Sequence, residues 1–472
     1  MTGIAVLSAA GGADWEARLL GELGAEGNPH EVRIVRRCVD VVDLLAVAAS
    51  GQGEAALVSA TLRRLDADAL ERLAAASVVV IAVLDAAHSD ERGGDGAGGD
   101  TAGGDGAGGD SGAGDAERLR ALGVRHIVSS AARAEVVAAA VQSACAEASS
   151  AGGASGRRFG LSTAATDPRA ADPLGDLPPR PTYGETGAVV AVWGPTGGPG
   201  RSTVAATLAD EIARLGLGAL LIDGDVYGGA IATMLGLLDE SPGIVAAARQ
   251  AGTGRLDAAA LAALCWSAEP NLRVLTGLPR ADRWPELRPP AIERMLGIGR
   301  SMADFTVLDL GFCLESDEEL SFDTAAPRRN GATLAMLDAA DVVIAVGSAD
   351  ALGLARLVRG LDDLKAAGIS APVWIALNRV RPSATRGSAS TELGTAVTRF
   401  AGQPPAAYLP YDQSGVDAAL LGGLPIARVA PGSPFRAAVI DLAVALTGVA
   451  RGDHSQRGRR RSIGRRSGSA GR

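Results

Sequence analysis

No histidine lies between residues 187 and 450, which excludes a His-based triad or a His-ligated metal from more than half of the 472-residue chain. Cysteine is scarce as well. Cys38, Cys145, Cys265 and Cys313 form no CxxC pair, so neither a zinc site nor a disulfide framework is signalled. Buried free thiols in a reducing compartment are expected instead. Aromatic residues make up only 3% of the chain, so its core must be built from Ala, Val, Leu and Ile. The most apolar run, Ala74 to Leu84, falls well short of the ~20 residues that span a bilayer. The opening Met1-Thr2-Gly3-Ile4-Ala5-Val6 has no basic residue ahead of an apolar stretch, so no secretory signal is expected and a cytoplasmic location is. The formal net charge of -9 argues against a protein that coats nucleic acid over its whole surface.

The chain is rich in short apolar runs. Over residues 1–148 they fall at Ile4–Leu7, Val32–Val35, Ala56–Val58, Val78–Leu84 and His126–Val128, separated by helical stretches. Continuous apolar strands imply a parallel sheet covered on both faces. Five in this length fit a small doubly wound, flavodoxin-like α/β domain. Residues 92–115 interrupt it with a Gly/Asp-rich segment. Calcium-binding nonapeptides share that composition but need a large apolar residue in each repeat, and none is present, so a flexible acidic loop is expected. Residues 149–186, rich in Ser, Gly, Ala, Asp and Pro, read as an interdomain linker. A second α/β unit follows over 187–450, with apolar strands at Ala188–Val192, Ala219–Ile222, Leu272–Leu275, Phe305–Leu308, Val342–Val346, Val373–Leu377 and Ala406–Leu409. They predict one large, mostly parallel sheet. The arginine-rich tail, 451–472, has almost no large apolar residue and is expected to be disordered.

The strand Val189–Val192 runs into a glycine-rich turn, Gly194-Pro195-Thr196-Gly197-Gly198-Pro199-Gly200-Arg201-Ser202-Thr203. A helix follows, with Val204, Leu208, Ile212 and Leu215 on one face. Strand, glycine turn and helix N-terminus in that order make an anion site, because free N–H groups and the helix dipole both point at the ligand. Gly197, Gly198, Pro199, Gly200, Arg201, Ser202 and Thr203 are the candidate phosphate-binding residues, and the Ser202 hydroxyl stands where Mg²⁺ would bind. Arg201 occupies the place of the usual P-loop lysine. Three acids end strands: Asp223 and Asp225 after Leu221-Ile222, and Asp309 after Leu308. Ligands of open α/β sheets bind beyond the carboxyl ends of strands. Asp309 is therefore the expected Mg²⁺ residue, acting through water, and Asp225 or Asp223 would orient the attacking water. Taken singly, each acid would read equally well as a helix cap.

These motifs resemble the MinD/ParA family of deviant Walker-A P-loop ATPases over residues 187–448. The family's KGGxGK[ST] turn corresponds to Thr196 to Ser202, its Asp-x-Asp to Asp223-Gly224-Asp225, and its Walker B acid to Asp309. The resemblance implies ATP and Mg²⁺ as cofactors and an ATP-dependent homodimer. It also assigns base contacts to Asn378 and Arg379 after a late strand, and to Pro410 and Asp412 in Pro410-Tyr411-Asp412. The N-terminal domain with its linker resembles the CpaE/TadZ and septum-site-determining (Ssd-like) branch. Receiver positions read Ser8, Val58-Ser59-Ala60 and Val128-Ser129-Ser130, so residues 1–148 would be a pseudo-receiver used for docking or localisation rather than phosphotransfer, with Asp66 and Asp68 as caps or surface acids.

The resemblance implies a positioning ATPase acting with a protein partner in a pilus, secretion or division machine, peripheral at the inner membrane, pole or septum. Two departures bear on mechanism. Thr196 replaces the family's signature lysine, and Arg201 replaces the Walker lysine with a larger planar fork. ATP binding is expected to survive, with hydrolysis slow or absent. A non-hydrolysing nucleotide-binding scaffold and a ParA-like DNA-segregation ATPase are the alternatives. The resemblance makes the stretch Leu314–Leu320 a switch region, and its acidic cluster would dock a basic partner or be a solvated loop. The tail would touch anionic lipid or nucleic acid, or only solubilise the chain.

Overall fold

A computed structural model describes residues 3–11, 13–23, 30–84, 111–152, 186–237, 242–315, 327–381 and 388–449. The chain divides into two compact units, Met1–Thr166 with Gln250–Arg255, and Asp167–Arg249 with Leu256–Arg472.

In the first unit, β1 (Ile4–Ala9), β2 (Val32–Arg37), β3 (Ala55–Ser59), β4 (Val79–Leu84) and β5 (His126–Ser129) form a sheet of order β2-β1-β3-β4-β5. Every pairing is parallel. This is one of the two common doubly wound orders. The helices are α1 (Asp14–Leu23), α2 (Val41–Ala49), α3 (Ala67–Ala75), α4 (Ser111–Ala121) and α5 (Ala134–Gly152). Side chains alternate across the sheet, as the two-residue strand period requires. Leu7 and Ala9 of β1 join one apolar cluster with Leu44, Leu73 and Leu119 of α2, α3 and α4. Val6 joins the other with Leu19 and Val141 of α1 and α5. Asp66 caps α3, its carboxylate accepting from the Ala69 N–H at 3.0 Å.

Two boundaries differ from the sequence reading. The stretch read as a loop to residue 115 gives way to α4 at Ser111, and residues 92–110 lie outside the described residues. Helix α5 runs to Gly152, past the expected start of the linker at 149, and residues 153–185 lie outside. Both sites are Ala/Ser/Gly-rich, where weak apolar periodicity hides a helix end. The tail 451–472 is also outside the described residues.

In the second unit, eight strands are β6 (Ala188–Trp193), β7 (Ala219–Gly224), β8 (Trp266–Glu269), β9 (Leu272–Leu275), β10 (Phe305–Leu310), β11 (Val342–Ser348), β12 (Val373–Val380) and β13 (Ala407–Pro410). Their order is β13-β12-β11-β6-β10-β7-β9-β8, parallel except for β8. The sequence reading missed β8. It is an antiparallel edge strand with Trp266 and Ser267 exposed, so it lacks the apolar run of a strand buried on both faces. Helices are α6 (Arg201–Arg214), α7 (Ile231–Met234), α8 (Gly243–Gly252), α9 (Ala258–Leu264), α10 (Pro289–Met302), α11 (Gly331–Asp338), α12 (Ala351–Ala366), α13 (Ala389–Ala401), α14 (Gln413–Gly422), α15 (Ile426–Val429) and α16 (Pro434–Thr447). Among the described residues no helix is long and apolar enough to cross a membrane.

Strand β6 lies between β11 and β10 with all six residues buried. The helix it feeds, α6, is buried all round from Val204 to Ala213 rather than along a single face. That burial traps two acids. Arg214 Nε holds Asp210 at 2.8 Å and Arg436 Nε holds Glu211 at 2.5 Å. Unpaired charges at such depth would cost several kcal/mol each.

Candidate functional site

The carboxyl end of β6 opens into the glycine turn. Gly197 and Gly200 sit at φ +106° and +100°, a left-handed region closed to most side chains. Gly200 is the N-cap of α6 and supplies no side-chain hydrogen bond, so the first N–H groups of this helix have no side-chain cap. Thr196, Gly197 and Gly198 are exposed, whereas Pro199 is buried. The glycine part of the turn is thus open to solvent next to a buried Pro199.

Beside it, Asp309 pairs in register with Val192 on one side and with Asp223 on the other. Asp309 is 1% exposed, and among the described residues neither carboxylate oxygen has a hydrogen-bond partner of good geometry. Burial, then the neighbouring Asp223 charge, drive its pKa well above the usual carboxylate range, while the Ser202 hydroxyl and Arg201 act in the opposite direction. A buried acid left without a partner is costly unless something else completes it. A hydrated cation beside Ser202 is a donor set that fits, because Mg²⁺ is bound through one or two protein groups plus phosphates and waters.

The two acids after β7 differ. Asp223 is 1% exposed and accepts from the N–H groups of Ile231 at 3.0 Å and Asp225 at 3.3 Å. Burial raises its pKa to about 6. It shapes the loop that follows β7. Asp225 accepts from the Tyr227 N–H at 2.8 Å, and its other oxygen lies 3.8 Å from Arg201 Nη2. Asp225 therefore faces the turn.

Arg201 folds back along the turn. Its Nη1 donates to the carbonyls of Gly194 and Pro195, each at 3.1 Å. Its Nε is buried with no hydrogen-bond partner among the described residues.

Asn378, Arg379, Pro410 and Asp412 meet in one cleft of about 450 Å³, which Gly200 and Thr203 also line. That size suits a small ligand. Asn378 is not idle there, since its Nδ2 donates to the Pro199 carbonyl at 2.8 Å. Arg379 is held at φ +60°. Asp412 caps α14 by accepting from the Gly415 N–H at 3.0 Å, and the Ser433 hydroxyl holds its pKa below the usual range. A roomier cleft of about 700 Å³ lies in the first unit, lined by Glu54, His126 and Cys145 among others, but it has no glycine turn.

Sequence reasoning missed a network that joins the loops after β7 and β10. The Tyr227 hydroxyl donates to Asn330 Oδ1 at 2.9 Å, and Asn330 Nδ2 donates to the Glu315 carbonyl at 2.7 Å. The Tyr227 ring lies 4.9 Å from that of Phe312 and carries the Arg329 guanidinium at 4.3 Å. Single aromatic and amide residues in loops give no periodic signal. Of the acidic stretch Leu314–Leu320, only Leu314 and Glu315 fall within the described residues.

Comparison with known proteins adds to this geometry. Residues 185–252 match the ParA family model, described as the NUBPL iron-transfer P-loop NTPase. The chain is similar to an iron-sulfur cluster carrier protein of Synechocystis sp. (strain ATCC 27184 / PCC 6803 / Kazusa), 41% identical over 61 residues. That is 13% of this chain, and it spans 17% of the length of that relative. Among solved structures, a ParA family ATPase from Chlorobium tepidum TLS aligns at 20% identity with a TM-score of 0.46, covering 54% of this chain and 98% of that one. The septum site-determining protein MinD from Pyrococcus horikoshii OT3, solved with Mg-ADP, aligns at 21% identity with a TM-score of 0.43, covering 55% and 96%. The family match, which begins just ahead of β6 and runs through α6 and β7, supports a ParA-type P-loop NTPase.

Proposed function

We propose that this chain is an ATP-binding, MinD/CpaE-like positioning protein. In this reading it dimerises when it holds ATP and localises a division-site, pilus or secretion apparatus. The observation that carries nucleotide binding is the placement of buried Asp309, whose oxygens make no hydrogen bond of good geometry among the described residues, beside the glycine turn and Ser202. The N–H groups of residues 197–203 would hold the phosphates, and Ser202 with Asp309 would hold Mg²⁺. Asn378, Arg379, Pro410 and Asp412 would surround the base. Bound Mg²⁺·ATP supplies a transferable phosphoryl group and part of the charge neutralisation that its transfer needs. Asp225, at the mouth of the turn, is the residue to orient an attacking water, with Asp223 holding its loop. Residues 1–148 would act as a pseudo-receiver for docking. Ser8 lies one residue from the end of β1 and Ser59 ends β3, and the Ser8 hydroxyl donates to buried Glu16 at 2.7 Å, which Arg37 Nε also binds at 2.6 Å. Equilibrium ATP titration together with light scattering tests the proposal. Protein that binds no ATP, or whose mass does not change with ATP, removes it.

A second reading, a scaffold that binds ATP without turning it over, is favoured by the inward fold of Arg201 onto Gly194 and Pro195. Phosphate release measured beside Asp225→Ala separates the two, and equal rates favour the scaffold. Cluster transfer, suggested by the Synechocystis relative, draws no support from the segment that matches the family model. Iron–sulfur clusters are held by thiolates, and residues 185–252 contain no cysteine.

A further inference from the structure

A second arginine lies on the phosphate turn. Arg356 comes from α12, and its guanidinium packs on Gly197 so closely that a Cβ there would fall 3.1 Å from Cζ and collide with Nη1. The helix is held against the turn by small residues. A Cβ on Gly360 would lie 2.8 Å from the Trp193 ring and 3.3 Å from Pro195, and one on Gly347 would lie 2.7 Å from Leu357. A Cβ on Gly353 would strike the Ser348 carbonyl. Positions 353, 356, 357 and 360 follow the three-and-four spacing of one helix face. Arg356 is thus carried inward with the packed face, whereas Arg359 is exposed.

The two arginines at the turn are unequally engaged. Arg201 spends its guanidinium on two carbonyls and Asp225. Arg356 is half-buried and makes no hydrogen bond or ion pair among the described residues. An arginine so placed keeps its five donors for an incoming anion, and its planar fork matches phosphate oxygens two at a time. The site already holds three carboxylates, Asp223, Asp225 and Asp309, so a polyphosphate would need added positive charge from the protein.

We infer that Arg356 is a phosphate-binding residue that directs a second positive charge at the terminal phosphate of a nucleoside triphosphate held in its own chain's turn. The inference rests on the nucleotide-binding reading above. It adds a residue that no motif of the turn contains.

The test is fluorescence titration of the full chain with ATP and with ADP, with Mg²⁺ present. Wild type, Arg356→Ala, Arg356→Lys and the control Arg359→Ala are compared, and each is melted without nucleotide. Arg356→Ala should lose about tenfold in ATP affinity, the equivalent of 1.4 kcal/mol, and less in ADP affinity. Arg356→Lys should recover part of the loss. Arg359→Ala should match wild type, and the nucleotide-free melting points should agree. If wild type binds ATP and Arg356→Ala binds it equally well, the inference fails while the nucleotide reading stands. Equal losses for ATP and ADP with a lowered melting point would also overturn it, by making Arg356 a packing residue. Wild type that binds neither nucleotide overturns both.

Discussion

Asn378 Nδ2 donates to the Pro199 carbonyl at 2.8 Å, joining the end of β12 to a turn 179 residues away in sequence. Its Oδ1 accepts from the Arg379 N–H at 2.8 Å, so both ends of the amide are engaged. Asn378→Ala would leave the buried Pro199 carbonyl without this partner, at a cost of about 1–3 kcal/mol. The expected result is a lower melting point and weaker ATP binding together. Scanning calorimetry and a nucleotide titration on the same sample check this. Weaker binding without any loss of stability would make Asn378 a base contact rather than a clamp.

Asp309 supports a different expectation. A buried carboxylate opposes folding at neutral pH when, as here, desolvation and a neighbouring acid outweigh what Ser202 and Arg201 offset. Asp309→Asn removes the charge while keeping the shape. The nucleotide-free variant should be more stable than wild type in urea at pH 7.5. Its ATP affinity should no longer respond to Mg²⁺. A variant less stable than wild type, still with Mg²⁺-sensitive binding, would show that Asp309 is a structural acid.

Much of this was legible beforehand. The run Val189–Val192, the turn and the strand-end acids Asp223, Asp225 and Asp309 are local signals, and parallel pairing brings them to one edge. Asp225 and Asp223 could not be told apart in sequence. What separates them is the N–H of Ile231, eight residues on, which the fold returns to Asp223. Arg356 was illegible for the same kind of reason. Its helix face looks like any apolar stripe until Gly360 is seated on Trp193 and Pro195. Strand β8 was missed because one exposed face erases the apolar run that marked the others.

The Asp223 carboxyl gives a pH dependence of definite sign. Its pKa rises from 3.8 to about 6 on folding, chiefly through burial. The folded state then binds more protons between those values, so stability falls as pH rises from 3.8 through about 6. Full ionisation costs on the order of 3 kcal/mol. Asp223→Asn should lack this component. Urea unfolding of both proteins at pH 4.5 and pH 7 measures it, and the gap in favour of the variant should widen at the higher pH. A gap that does not change with pH would mean that Asp223 ionises in the fold as readily as in solution.

Arg201 yields the sharpest prediction about turnover. Its guanidinium spans the carbonyls of Gly194 and Pro195 and reaches within 3.8 Å of Asp225. A lysine carries one compact charge and cannot bridge all three at once. In Arg201→Lys, Asp225 should be released from the guanidinium and the ammonium should be free to follow developing charge on the phosphates. The variant should bind ATP and release phosphate faster than wild type under single-turnover conditions. A gain of about tenfold would correspond to a barrier lower by 1.4 kcal/mol. Arg201→Ala is the control, and it should lose binding rather than gain rate. If Arg201→Lys binds ATP but releases phosphate no faster than wild type, the folded-back arginine is not what limits hydrolysis. The missing charge at Thr196 would then be the place to look, and Thr196→Lys in the Arg201→Lys background would be the variant to measure.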